Sequence, residues 1–262
     1  TLPAIIGEVR VPVILTAFSD HAFSLSDEEI YAYWDALLNQ NGYSEHGAAG
    51  CVADYFKKQS GGKYKPIFDV MGPVKLPQKK AYYGKNLGGM RGADRRSNEM
   101  LRDACVATER DFLPYDKDED GTIDVVVIIY AGAGENRGGG ADAIWPHKGC
   151  AQGKSVGDMQ LGDYACVCEL RNTTDLDGYG TFIHEFSHCF QLPDLYPTSG
   201  SSISIFDEWD LMDGGNYSNN GFSPPNYSAL ERWICGWCEF EDLTNSVSIT
   251  DLPAWDEDPK AY

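Results

Sequence analysis

The chain is organised around Gly180-Thr181-Phe182-Ile183-His184-Glu185-Phe186-Ser187-His188-Cys189-Phe190-Gln191-Leu192-Pro193-Asp194. On a helix, His184 and His188 are one turn apart and project from the same face, with Glu185 beside them. Two neutral imidazoles suit Zn²⁺, and a catalytic zinc needs a third protein ligand and an open position. We interpret Asp194, six residues after His188, as the third ligand. Glu185 can take a proton from water at the metal.

Pro193 prevents the helix from continuing to Asp194, because the residue before a proline is pushed out of helical geometry. We expect the chain to leave the helix near Phe190 and Gln191 and to turn back toward the metal. The structural alternative is a packed helix with two hydrogen-bonded core histidines, since a bare H-E-x-x-H also arises by chance. The bend, the carboxylate and a downstream methionine, Met212, together favour the metal site.

Three segments resemble a known family. Residues 184–188 read His-Glu-Phe-Ser-His, residues 192–196 read Leu-Pro-Asp-Leu-Tyr, and residues 209–215 read Trp-Asp-Leu-Met-Asp-Gly-Gly. They are similar to the immune inhibitor A-like secreted zinc metallopeptidases, a metzincin-type family whose zinc helix is followed by a third ligand and a methionine turn. The resemblance extends from about residue 11 to about residue 237.

The resemblance implies an α/β (α+β) fold. It is a metzincin-like zinc peptidase domain with a twisted mixed sheet, a zinc-binding active-site helix and a C-terminal Met-turn sub-domain. Residues 1–240 would form the catalytic domain, with an N-terminal lobe to about residue 190 and a C-terminal lobe from about residue 191. Residues 241–262 would begin a following strand or linker. The implied site residues are the zinc ligands His184, His188 and Asp194, the general base Glu185 and the turn methionine Met212.

The implied activity is that of a secreted zinc-dependent endopeptidase, which hydrolyses peptide bonds in protein or peptide substrates. The resemblance also implies export to an extracellular, cell-surface or periplasmic location, and a pro-segment that is removed on maturation. The family pattern has glycine where this chain has Gln191. If that turn requires a positive φ, Gln191 costs about 1 kcal/mol of strain. A catalytically inactive metal-binding or adhesion module of the same fold is therefore an alternative.

The amino-acid composition limits the classes of function that the chain can have. The chain has 262 residues, of which 42% are hydrophobic, and this is enough for a sizeable core. Its 40 acidic and 21 basic residues give a net charge of −19, which argues against binding to nucleic acid or to anionic membranes. No apolar run approaches the roughly 18 residues of a membrane span, so we expect none.

The remaining sequence predicts a layered α/β framework. Ser26 and Glu29 have the spacing of a capping box at the start of a helix. Pro12 is expected near the start or at the edge of its strand, and Gly72-Pro73 is expected to form a turn. The strand at 164–170 is expected to border the substrate cleft and to pair with extended peptide. Strands are predicted at 9–18, 66–74, 124–131 and 164–170, and helices at 51–58 and 94–112, the latter with Met100, Leu101, Cys105 and Val106 on its inner side.

A second cation site is predicted between the helix at 94–112 and the strand at 124–131. Asp116, Asp118, Asp120 and Asp124 alternate around Gly121, as carboxylates do in calcium-binding loops. A strand follows, and the twelfth position lacks an acid, so the loop lies outside an EF-hand. Ca²⁺ is the cofactor that we expect here, and a simple acidic turn is the alternative.

Cysteines supply a rival function. Cys235-Gly236-Trp237-Cys238 is a C-x-x-C motif, which can act as a redox dithiol and would make the chain an oxidoreductase. A thioredoxin-like motif follows a strand and opens a helix, whereas this one follows a helical segment. The structural alternatives are a disulfide or a small zinc site shared with Cys166 and Cys168. His147 is interpreted as a structural histidine or, less favourably, as a residue that lines the cleft.

Overall fold

The computed structural model describes residues 5–198, 203–244, 248, 250, 254–255 and 261. Its centre is a mixed sheet in the order β2-β1-β3-β6-β4, with β5 paired to β6. Strands β1, β2, β3 and β6 are parallel, whereas β4 and β5 run antiparallel to β6. The strand bounds are Gly7–Ala17 (β1), Tyr64–Lys75 (β2), Thr122–Ala133 (β3), His147–Cys150 (β4), Ser155–Val156 (β5) and Met159–Leu170 (β6).

Helices cover both faces of this sheet. They are Asp27–Asn39 (α1), Val52–Gln59 (α2), Lys80–Gly84 (α3), Ser97–Ala107 (α4), Gly180–His188 (α5) and Ala229–Ile234 (α6). Helices α1, α2 and α5 pack on one face, and α3 and α4 pack on the other. No helix in the described part of the chain combines the length and the apolar character needed to cross a membrane.

Strand β3 shows why the sheet is covered on both sides. Val127 and Ile129 point into the core beneath α1, α2 and α5. Val126 and Ile128 point into the core beneath α4. A parallel strand that is buried on both faces has a continuous apolar sequence, so the expectation from this segment is confirmed.

Three local expectations were wrong. Pro12 is the sixth residue of an interior strand, where it is tolerated because the pairing of β1 with β3 begins only at Val13. The Gly72-Pro73 bond is a cis peptide inside β2 and not a turn. Helix α4 spans only 97–107, since Asp94 pairs with Asn86 and Glu109 has a positive φ.

The shorter α4 also changes which side chains are covered. Met100, Leu101 and Cys105 are buried as expected, but Val106 is 49% exposed because it lies near the end of the helix. The strand or linker expected at 241–262 lies largely outside the described residues.

The capping box of α1 gives a stability prediction. The Ser26 hydroxyl accepts a hydrogen bond from the Glu29 N–H, and the Glu29 carboxylate accepts one from the Ser26 N–H. Ser26→Ala should therefore lower the free energy of unfolding by about 1 kcal/mol, measured by urea denaturation. Ser44→Ala is the matched control, because Ser44 precedes a short helical turn without capping it through its side chain. Equal losses in both variants would contradict the assignment.

Candidate metal centre

Helix α5 is held tightly at its start and along its apolar side. A side chain at Gly180 would lie 2.0 Å from the carbonyl oxygen of Asn216, so this close approach requires glycine. Phe182 and Phe186 pack edge-to-face against Phe68 of β2. The apolar side of the helix thus faces the sheet, and the histidines lie on a different side.

The chain leaves α5 where the sequence predicts. The helix ends at His188, and the N–H of Gln191 donates to the carbonyl oxygen of His188 at 3.0 Å. Gln191 has a φ of 65°, which is the left-handed conformation that the glycine of the family pattern would adopt without strain. The exit turn therefore keeps its geometry despite the substitution.

Two main-chain carbonyls orient the imidazoles. His184 Nδ1 lies 2.8 Å from the oxygen of Leu211, and His188 Nδ1 lies 2.7 Å from the oxygen of Leu192. A carbonyl can only accept a hydrogen bond, so each Nδ1 must be the protonated nitrogen. In the neutral rings, both Nε2 atoms therefore carry lone pairs.

Asp194 completes a set of three electron-pair donors. Its Oδ1 lies 3.3 Å from His184 Nε2 and 3.2 Å from His188 Nε2, and it is buried without a hydrogen-bond donor. Although burial opposes the shift, imidazoles that are also protonated at Nε2 donate to Asp194 and hold its pKa well below its usual range. Three lone pairs that point at one another repel unless a cation lies among them, so these residues fit a metal ion.

Glu185 lies next to this set of donors. Its carboxylate is within 4.8 Å of the donor atoms of His184 and His188, and the residue is only 8% exposed. Burial raises the pKa of Glu185 above its ordinary value, although the nearby histidines oppose the shift. The geometry thus places a proton acceptor of increased basicity beside the three donors.

The segment around Met212 is joined to the site by main-chain hydrogen bonds. Met212 is fully buried, its N–H donates to Asp210 at 2.8 Å, and its carbonyl oxygen accepts the N–H of Leu195, also at 2.8 Å. The preceding residue, Leu211, supplies the carbonyl that orients His184. Sequence reasoning missed Leu192 and Leu211 as contributors, because any residue type can supply a main-chain carbonyl.

The acidic loop is only partly assembled. Asp116, Asp118 and Asp120 bring their carboxylates within 4.8 Å of one another, whereas Asp124 lies outside this group. Asp124 instead accepts a hydrogen bond from the N–H of Lys117. Asp116 accepts the N–H groups of Asp120 and Gly121, so the loop is also supported by its own hydrogen bonds.

Within the described ranges, the cysteines form neither a disulfide nor a small zinc site, and the burial of Cys235 and Cys238 disfavours a redox dithiol. Cys235 and Cys238 are buried, and burial raises the pKa of both thiols, which disfavours the thiolate that a redox dithiol needs. Among the described residues, neither metal-binding group of three includes a cysteine, so the zinc site with Cys166 and Cys168 is not assembled. All eight cysteines belong to the described part of the chain, and no disulfide joins them.

The expected cleft strand needs a correction. Strand β6 pairs with β3 on one side and with β4 on the other, so it is not available to a peptide at 163–166. The outer position belongs to β4, which lies beside α5. The contacts of His147, the first residue of β4, favour the structural interpretation: its ring nitrogens contact the carbonyl oxygen of Trp145 at 2.7 Å and the hydroxyl of Tyr164 at 2.9 Å.

A helix with an H-E-x-x-H pattern, an acid after the exit turn and a mixed sheet against which the helix packs are features of the metallopeptidase class. Residues 16–235 match the family model described as immune inhibitor A peptidase M6, catalytic domain. This match covers most of the chain. The chain therefore belongs to the immune inhibitor A (M6) peptidase family, as its sequence motifs indicate.

Individual relatives agree with this assignment. A protein named pre-pro-metalloprotease PrtV, from Vibrio cholerae serotype O1, is 27% identical over 270 residues, which cover 85% of this chain and 28% of the relative. A protein named immune inhibitor A, from Bacillus thuringiensis subsp. alesti, is 28% identical over 310 residues, which cover 93% of this chain and 44% of the relative. The chain thus spans less than half of the length of either relative.

The exit turn gives a prediction about strain. The side chain of Gln191 is exposed, so its replacement removes little packing. Gln191→Gly should increase the free energy of unfolding by about 1 kcal/mol relative to Gln191→Ala, since only glycine adopts a φ of 65° without a steric cost. Urea denaturation of both variants measures the difference. If Gln191→Ala were as stable as Gln191→Gly, the turn would not be strained.

Proposed function

We propose that this chain is the catalytic domain of a secreted zinc endopeptidase, in which His184, His188 and Asp194 hold the metal. The observation that carries the proposal is the convergence of their three lone-pair atoms, with Asp194 Oδ1 lacking any hydrogen-bond donor among the described residues. Two imidazoles and a carboxylate suit zinc and leave a coordination position open. We assign residues 1–240 to this domain, with the change of lobe near residues 190–191.

Bound zinc would act as a Lewis acid, polarising the carbonyl of a peptide bond and lowering the pKa of water. Glu185 is proposed as the general base, because it is buried beside the two histidines and its pKa is raised. Its carboxylate would take a proton from the attacking water and later deliver that proton to the leaving amine. The carbonyls of Leu192 and Leu211 would keep both imidazoles in the ligand tautomer throughout.

Two further elements have proposed roles. The turn at Met212 would form the apolar floor under the histidines, in keeping with its burial and its bond to Leu195. Strand β4 would hold an extended protein or peptide substrate by main-chain pairing, because no described strand pairs with its outer edge. Strand β4 is proposed for this role in place of β6, because β6 is already paired with β3 and β4.

Export and activation are part of the proposal. The name of the Vibrio relative, pre-pro-metalloprotease, is consistent with a pro-segment that is removed on maturation. The acidic surface of this chain, with a net charge of −19, disfavours nucleic acid as a partner. The inactive module is the second candidate, because Gln191 replaces the glycine of the family pattern at a position of positive φ.

The general base can be tested by comparison with a ligand variant. Glu185→Gln should keep one zinc per chain, measured by mass spectrometry of the native protein, and should lower casein cleavage at least about 100-fold. His188→Ala should lose both zinc and cleavage, because one of three ligands is removed. A chelator should abolish cleavage by the unaltered chain.

Other outcomes would contradict the proposal. Comparable turnover by Glu185→Gln would remove Glu185 from the base role, and full zinc occupancy in His188→Ala would exclude it as a required ligand. Zinc binding by the unaltered chain without any cleavage of casein would favour the inactive module. Reduction of insulin disulfides, abolished by Cys235→Ser, would favour the oxidoreductase.

We also propose that the loop of Asp116, Asp118 and Asp120 binds Ca²⁺, since its carboxylates are close enough to share one ion. Asp118→Ala combined with Asp120→Ala should make the calcium-dependent rise in melting temperature smaller than in the unaltered chain. Asp27→Ala combined with Glu28→Ala is a charge-matched control in the first turn of α1. An undiminished rise in the loop variant would place the calcium elsewhere.

A further inference from the structure

A closed loop between α3 and α4 places two polar side chains next to each other. The N–H of Leu87 donates to the oxygen of Ala93 at 2.8 Å, and the N–H of Arg95 donates to the oxygen of Lys85 at 3.1 Å. These bonds flank Asn86 and Asp94, which form an antiparallel bridge. Residues in such a non-hydrogen-bonded pair have their Cβ atoms about 5 Å apart on one face. The side chains of Asn86 and Asp94 are therefore immediate neighbours.

A third side chain joins them from the connection between β3 and β4. Glu135 is buried, and its two carboxylate oxygens accept bonds from Asn86 Nδ2 and from the N–H of Gly92, both at 2.9 Å. Asn86 Nδ2 also donates to the carbonyl oxygen of Ala141 at 3.1 Å. Because both of its partners are acceptors, the amide orientation of Asn86 is fixed. Its Oδ1 is thereby left as the free acceptor.

The two neighbouring oxygens have no donor. Asn86 Oδ1 and Asp94 Oδ1 are both buried, and no described residue donates a hydrogen bond to either. The Asp94 side chain is only 1% exposed, so solvent does not satisfy it. Unsatisfied buried oxygens are costly, and a cation or a proton bound by these adjacent side chains would relieve that cost.

Two arginines of this loop lie over aromatic rings. The guanidinium of Arg91 lies over the ring of Trp145, and that of Arg96 lies over the ring of Tyr82. His147 Nδ1 is 3.6 Å from Asp94 Oδ2, but it also lies 2.7 Å from the oxygen of Trp145, which takes its hydrogen. Among the described residues, no lysine or arginine forms an ion pair with Asp94 or Glu135, and His147 is the one cationic partner of Asp94.

We propose that Asn86, Asp94 and Glu135 form a divalent-cation site, separate from the acidic loop and from the histidine centre, that takes Ca²⁺. All candidate donors are oxygens: one amide, two carboxylates and the nearby carbonyl of Ala141. Oxygen-only donor sets select hard cations, and calcium accepts irregular mixtures of carboxylates and carbonyls. Water would complete the coordination.

The site has a structural consequence for the cleft. Asp94 Oδ2 accepts the N–H of Trp145 at 2.9 Å, two residues before β4 begins. A cation that fixes Asp94 therefore also fixes the entry to β4. Calcium binding and thermal stability can both be measured without peptidase activity.

A proton is the rival occupant. Burial raises the pKa of Asp94 to about 6, and a protonated Asp94 can donate to Asn86 Oδ1. At pH 8 this proton is lost, whereas a metal site keeps its carboxylate ionised. The measurements are therefore made at pH 8 with zinc present throughout.

The first experiment uses the chain with Asp118→Ala and Asp120→Ala, which removes the acidic loop as a competitor. Calcium at about 100 times its Kd should raise the melting temperature by about 5 °C or more, and magnesium should have a smaller effect. Adding Asp94→Asn or Glu135→Gln should abolish this rise. Asp142→Asn changes an exposed acid near the site and should retain it. A rise that survives Asp94→Asn, or no rise before that substitution, overturns the proposal.

A second measurement does not depend on whether Asp94→Asn and Glu135→Gln fold, because it uses variants that keep all three proposed ligands. Tb³⁺ should bind the same protein and emit on tryptophan excitation, because Trp145 adjoins the site, and Ca²⁺ should displace it. Trp145→Phe should lose most of the emission while keeping the calcium-dependent rise in melting temperature. Trp233→Phe, at an exposed tryptophan on α6, should leave the emission unchanged. Unchanged emission in Trp145→Phe contradicts the assigned position.

Discussion

Two main-chain carbonyls determine the chemistry of the histidine centre. By accepting the Nδ1 hydrogens of His184 and His188, the oxygens of Leu211 and Leu192 turn both Nε2 lone pairs toward Asp194. The arrangement has a net repulsion that only a cation or protons can relieve. The structural alternative for the helix, two core histidines satisfied by hydrogen bonds, requires an imidazole that is protonated on both nitrogens, so that it can donate to Asp194 Oδ1.

The carbonyls are in place because separate parts of the fold meet at α5. The Leu192 carbonyl depends on the exit turn, where Gln191 is held in a left-handed conformation. The Leu211 carbonyl depends on the turn around Met212, which is joined to the chain beyond Asp194 through Leu195. On the other side of α5, Phe182 and Phe186 pack against Phe68 of the sheet. Both imidazoles are thus oriented by main-chain carbonyls that lie outside helix α5.

Much of this was predictable from the sequence because it follows local rules. The spacing of His184 and His188, the breaking effect of Pro193 and the apolar run of β3 each specify geometry within a few residues. Pro12 and the ends of α4 were misjudged because they depend on which strand or loop lies alongside. The pairing of Asn86 with Asp94 beside Glu135 gave no signal, since these residues come together only through the folded loop and the β3–β4 connection.

The central claim is that zinc bound to two imidazoles and one carboxylate satisfies the three converging lone pairs. X-ray absorption at the zinc edge of the purified protein tests it directly. The account predicts a first shell of nitrogen and oxygen only, at about 2.0–2.2 Å, with the multiple-scattering signature of about two imidazoles. A sulfur shell at about 2.3 Å, or a zinc signal unchanged by replacement of Asp194 with alanine, would contradict it.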